Sequence, residues 1–82
     1  MTNKNYLPII KENANNFYMH GILALKEMNT SEAIESLKTA YDQYRLYTIM
    51  GGNDMQVNAR FIITGRILSK LGWKKVDPLT EK

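Results

Sequence analysis

Cysteine is missing from this chain and histidine occurs once. The first absence excludes disulfide scaffolds, thiolate metal sites and cysteine nucleophiles. The second excludes multi-histidine metal sites, and one histidine cannot supply a serine–histidine–acid set. Long apolar runs are also lacking. The longest uncharged stretch, between Glu12 and Lys26, is 13 residues and contains three asparagines and His20. A membrane span needs roughly 20 mostly apolar residues, so membrane insertion is not expected. Met1 to Asn5 leads into no long apolar segment, so no signal peptide is expected either. Low-complexity stretches and strand-like alternation are absent as well.

What is present is an ordinary globular mixture: 82 residues, 44% hydrophobic and 23% charged. One small domain is the most this length supports, and it buries about 60–65% of its unfolded surface. Without disulfides or metal, the core must come from well-packed helices or from a second chain, so a homo-oligomer is open. So small a chain leaves little room for a water-excluding pocket. No enzyme activity, small-molecule substrate or cofactor is expected; a contact function in a reducing compartment is. The net charge of +3 is uneven: residues 1–44 sum to −1 and residues 45–82 to +4. Between Met55 and Val76 stand Arg60, Arg66, Lys70, Lys74 and Lys75 with no acid among them. Such asymmetry marks either an anionic partner or a solvated basic surface.

Helical periodicity fills almost the whole chain. The first helix is expected over about 7–28, with Asn5 as cap and Pro8 in the first turn, where a missing N–H costs nothing. Leu7, Ile10, Ala14, Phe17, Gly21, Ala24 and Met28 make one apolar stripe. Asn29 or Thr30 caps a second helix over about 31–50, and Glu32 completes a capping box with Asn29. Its inner face is Ala33, Ile34, Leu37, Ala40, Tyr41, Tyr44 and Tyr47 or Thr48. Its outer face, Glu35, Lys38, Asp42 and Arg45, pairs opposite charges three or four apart. The tyrosines at 41, 44 and 47 read as core with hydroxyls reaching the rim, or as a run that lines a peptide groove or stacks on bases. Gly51 and Gly52 stop this helix. Asn53 or Asp54 then caps a third helix over about 54–71, ended by Gly72, with Trp73 folding back. Residues 74–82 form a tail after a single domain over 1–73. Short connections make neighbouring helices antiparallel, and the expected fold is an all-α three-helix bundle.

The third helix carries the most information. Val57, Phe61, Thr64, Ile67, Leu68 and Leu71 cover the expected core arc at about 100° per residue. Met55, Ile62 and Ile63 fall outside it, beside Arg66 and Lys70. A face that mixes large apolar side chains with positive charge suits a protein interface, and these five residues are the candidate partner-binding set. The competing reading is a helix sandwiched between the other two and buried around most of its circumference. Nucleic-acid binding through this helix and the basic tail is the alternative function, but isoleucines pointing outward read no base edges.

Phe17, Gly21, Ala24, Ala33, Leu37 and Ala40 resemble a single tetratricopeptide-type hairpin, in which small residues let two antiparallel helices approach closely. His20 replaces that motif's usual leucine, Ala24 its tyrosine and Arg45 its closing proline. The likeness covers about residues 14–47 and does not repeat. A second resemblance spans the chain. The asparagine-rich start, the segment Ala40-Tyr-Asp-Gln-Tyr-Arg-Leu-Tyr47 and the segment Phe61-Ile-Ile-Thr-Gly-Arg-Ile-Leu-Ser-Lys-Leu-Gly-Trp73 look like the rIII-type lysis-inhibition proteins of T4-type bacteriophages. That resemblance implies a cytoplasmic antiholin in the host cell, which delays lysis by binding the cytoplasmic segment of the phage holin. It carries no catalytic residues and assigns no functional residue by motif.

Overall fold

The computed structural model describes residues 6–73 and contains three helices and no strand among them. They are α1 (Leu7–Lys26), α2 (Thr30–Ile49) and α3 (Met55–Lys70). The tail at 74–82 and the Asn5 cap lie outside the described residues. Tyr6 precedes α1 without a side-chain cap bond, and Pro8 sits in the first turn.

The three helix ends repeat one device. At each, the third residue past the helix donates its N–H to a carbonyl inside the last turn. Asn29 bonds Ala24, Gly52 bonds Tyr47 and Trp73 bonds Leu68, each at 2.9 Å. The residue before it takes a left-handed backbone: Met28 at φ 60°, Gly51 at 95° and Gly72 at 98°. This six-to-one bond with a left-handed residue is the Schellman ending. It shortens α1, expected to reach Met28, to Lys26, because Met28 is the left-handed residue and not part of the apolar stripe. Its side chain is 88% exposed. Glycine avoids the Cβ clash that methionine suffers there. Met28→Gly is therefore expected to stabilise the fold by about 1 kcal/mol, raising the melting temperature by roughly 4–8 °C. Thermal unfolding followed by circular dichroism checks this, and a fall in melting temperature would refute the role of the turn.

Asn29 caps α2 by accepting from the Glu32 N–H at 3.2 Å. The reciprocal half of the expected capping box does not form. The Glu32 carboxylate reaches His20 Nε2 at 2.8 Å instead. Asp54, not Asn53, caps α3: its Oδ1 accepts from the N–H groups of Gln56 at 2.8 Å and Val57 at 3.1 Å. Gln56 thus serves no capping box from Asn53.

The helices form a three-helix bundle in which α2 is the middle element, packed against both α1 and α3, while direct contact between α1 and α3 is sparse. The buried apolar set is Ile10, Ala14, Ala24, Ala33, Leu37, Ala40, Tyr44, Tyr47, Val57 and Leu68. Four of these ten are alanines, and Gly21 is buried with them. The α1–α2 hairpin is therefore a close approach of backbones: a Cβ added at Gly21 would stand 3.4 Å from the Leu37 backbone nitrogen. One further expected core position differs, and of the alternatives Tyr47 and Thr48 it is Tyr47 that is buried. Phe17 is 41% exposed; the half-buried Tyr18 on the next residue packs against the core instead. Thr48 faces solvent and returns its hydroxyl to the Tyr44 carbonyl. Ser36, expected nowhere in the core, is buried beside Leu37. Ile34, Tyr41, Phe61, Ile67 and Leu71 are half-buried, at the edges of the helix contacts.

Candidate functional site

On α3 the core side is narrow. Val57, Thr64 and Leu68 are its buried residues. Because α2 alone covers this helix closely, the opposite side stays open. Met55 is 88%, Ile62 57% and Ile63 42% exposed, and Arg66 and Lys70 are exposed with them. The helix is not sandwiched, so the five candidate residues do share solvent. At about 100° per residue they fall within one arc of roughly 100° on α3. Ile62 and Arg66 line a shallow groove of about 380 Å³ along the α2–α3 seam, together with Tyr41, Phe61, Gly65 and Ser69. Lys70 stands one turn after Arg66, and Ile63, about 100° around the helix from Ile62, marks the far edge of that arc. Met55 stands two turns before Ile62, at the start of the helix.

The floor of the groove is aromatic. The rings of Tyr41 and Phe61 lie 4.8 Å apart between centroids, and Tyr41 meets Trp73 edge-on at 5.7 Å. Trp73 thus folds back onto α2 and closes the lower end of the seam. Gly65 leaves room for the Tyr41 ring, since a Cβ there would stand 3.2 Å from Tyr41 Cε1. Tyr41, Phe61, Gly65 and Ser69 were not in the sequence-derived set. Phe61 and Tyr41 read as core by periodicity, and only the packing of α3 onto α2 makes them the base of an open groove.

A polar node ties the three helices together on the other side of α3. Asn15 of α1 accepts at one oxygen from the Tyr44 hydroxyl at 2.6 Å and from Arg60 Nη1 at 3.1 Å. The Arg60 guanidinium lies over the Tyr18 ring, 4.8 Å from its centroid. Tyr18 and Tyr44 meet edge-on at 6.4 Å. Arg60, read from sequence as a possible phosphate contact, is instead turned inward onto α1. Burial holds the Tyr44 hydroxyl proton on, above the ordinary tyrosine range, against an opposing pull from Arg60. Thr64 contributes a buried hydroxyl with no partner among the described residues.

The second α1–α3 link is Lys11 Nζ donating to Asp54 Oδ2 at 2.6 Å. That bond, followed by the N–H of Val57, holds the Asp54 carboxyl below the usual carboxylate range. A depressed carboxyl stabilises the fold above its unfolded value of about 3.9, and the stabilisation is lost as pH falls through the lower folded value. Asp54→Asn keeps a good cap but removes the ionisable partner of Lys11. Its melting temperature is therefore expected to fall less between pH 6 and pH 2.5 than that of the unchanged chain, and to lie below it at pH 6. Parallel pH curves for the two proteins would remove Asp54 from the acid response.

His20 is exposed and its ring bonds Glu32, a local contact between α1 and the start of α2. Among the described residues no group of three or more His, Asp or Glu side chains is placed to hold a metal ion. No described helix is long and apolar enough to cross a membrane. No family model, no curated protein and no solved structure matches the chain.

Proposed function

We propose that this chain is a non-enzymatic binding protein that works through the solvent face of α3, and that its partner is the cytoplasmic segment of a phage holin. On this reading it is a cytoplasmic antiholin that sets the timing of phage lysis. The observation that supports contact as the mode of action is the joint exposure of Met55, Ile62 and Ile63 beside Arg66 and Lys70. Large apolar side chains left open next to charge cost a small domain solubility, and interfaces are where such residues are covered. The resemblance to the rIII-type lysis-inhibition proteins supplies the partner. The mechanism is stoichiometric. Binding the holin's segment opposes assembly of the lethal lesion only to the extent that the chain prefers the unassembled state.

Capture of the tagged protein from phage-infected lysate, with nuclease and moderate salt, tests this. Recovery of the holin is expected. Ile63→Asp and Arg66→Glu, both at exposed positions, are each expected to abolish that recovery while helical content stays unchanged. Normal recovery with both variants would show that α3 is not the contact surface. The second reading is a small nucleic-acid-binding regulator. It is favoured by the absence of acids on α3 and weakened by the engagement of Arg60 with Asn15 and Tyr18. Phosphate binding collapses steeply between low and moderate salt, whereas a partly apolar protein contact does not. Nucleic acid recovered only without nuclease, with no holin in either case, would favour this second reading.

A further inference from the structure

Burial is divided unequally among the helices. Of the buried apolar residues, three lie on α1 and five on α2, and α3 supplies only Val57 and Leu68. The remaining buried residue of α3 is Thr64, whose hydroxyl has no partner among the described residues. An unpaired buried hydroxyl opposes the packing that buries it, and water satisfies it on release. The ties from α3 to α1 are polar. Lys11 bonds Asp54 at 2.6 Å, Arg60 bonds Asn15 at 3.1 Å, and the Arg60 guanidinium lies over Tyr18. All of these side chains are only half-buried, so water can replace each partner. Residues 50–54 join α2 to α3. Gly51 in this connection is exposed, and no atom lies within 4 Å of where its Cβ would stand. The α1–α2 pair is built otherwise, with Gly21 set so closely on Leu37 that a Cβ there would overlap it.

We propose that α3 is a hinged arm, which leaves the α1–α2 hairpin as one unit by turning at Gly51 while the hairpin stays folded. The closed form dominates, and the opened form is a minor state of the free protein. The Asp54 and Arg60 contacts to α1 are the latch, set beside the hinge. Val57 belongs to the same buried cluster as Ala40, Tyr44 and Tyr47, with Phe61 packed against it. Opening therefore brings the inner side of α3 and that side of α2 to solvent together. A partner that touches only the exposed side of α3 leaves the two forms in balance. One that also takes Val57, Phe61 and Leu68 draws the arm out, because it binds the opened form better. The arm thus governs which apolar surface the chain presents, and it is independent of the holin reading.

Amide hydrogen exchange of the full chain, read residue by residue by NMR over a series of low urea concentrations, tests this. The α3 amides are expected to be protected about tenfold less than the slowest amides of α1 and α2. They should share one urea slope, smaller than that of the hairpin, because opening the arm exposes less surface than unfolding the whole chain. Two variants separate the arm from global unfolding. Met28→Gly, in the α1–α2 turn, should slow the slowest hairpin amides about fivefold and leave those of α3 unchanged. Thr64→Val removes the unpaired hydroxyl and should slow the α3 amides about tenfold. Equal protection and equal urea slope in all three helices would overturn the proposal. So would a Met28→Gly effect of the same size on α3 as on the hairpin. A graded loss of protection running back from Lys70, with no shared slope, would mean a fraying end and would overturn it as well.

Discussion

Leu37→Ala is expected to cost about 3 kcal/mol of folding stability, a large part of the roughly 4–12 kcal/mol a domain of this size possesses. Leu37 is fully buried in the α1–α2 hairpin against Gly21, which has no side chain to swing in and fill the space. Gly21→Ala is expected to be destabilising too, against helix propensity. Alanine gains about 1 kcal/mol over glycine inside a helix. But a Cβ at residue 21 would stand 2.5 Å from Leu37 Cγ and 3.4 Å from the Leu37 backbone nitrogen. The first distance is a hard overlap, and the branch point of a buried leucine is not a flexible tip. Overpacking of this kind costs about 1–3 kcal/mol, which exceeds the propensity gain. The double variant should be the informative one. Removing the Leu37 side chain makes room for the added methyl, so the two costs combined should fall short of their sum by at least about 1 kcal/mol. Urea unfolding of the four proteins measures this. Strict additivity, or a stabilised Gly21→Ala, would mean that the hairpin does not pack through this pair.

Asn15→Leu is expected to be the most damaging change at a half-exposed position, at about 2–3 kcal/mol. The Tyr44 side chain is fully buried, so its hydroxyl would lose the Asn15 oxygen with no water to replace it. Arg60 would lose the same acceptor, and with it one of the few ties between α1 and α3. Tyr44→Phe should cost less, about 1 kcal/mol. It leaves Asn15, which is only half-buried, still paired to Arg60. The pair of changes together should be milder than Asn15→Leu alone, because no buried hydroxyl is then left unpaired. The alkaline limb gives a separate check. The folded state holds the Tyr44 proton above the ordinary range, so the unfolded chain releases it first. Stability should decline as pH rises past about 10, and Tyr44→Phe should flatten that decline. A larger loss from Tyr44→Phe than from Asn15→Leu would overturn this account of the node.

The helices and their ends were legible from local chemistry. Asn29 and Asp54 place an acceptor where the first turn's N–H groups need one, and Gly51 and Gly72 adopt a left-handed backbone without strain. The ending that differs, at Met28, is the one where a residue with a Cβ occupies that conformation and the apolar spacing runs on past the helix. The exposed set on α3 was also legible, since Met55, Ile62 and Ile63 fall off the arc of Val57, Thr64 and Leu68. What periodicity could not supply was how much of that arc's neighbourhood a second helix would cover.

Sequence alone therefore determined three helices, their stops, the small-residue seam of the hairpin and the mixed character of α3, because each depends on contacts within about one turn. Tertiary structure alone decided that α2 takes the centre, that Phe17 yields its core place to Tyr18, and that Arg60 turns inward to Asn15. It also decided that Tyr41 and Phe61 floor an open groove. Each of these depends on which side of one helix meets another, and residues tens of positions apart in the chain set that meeting.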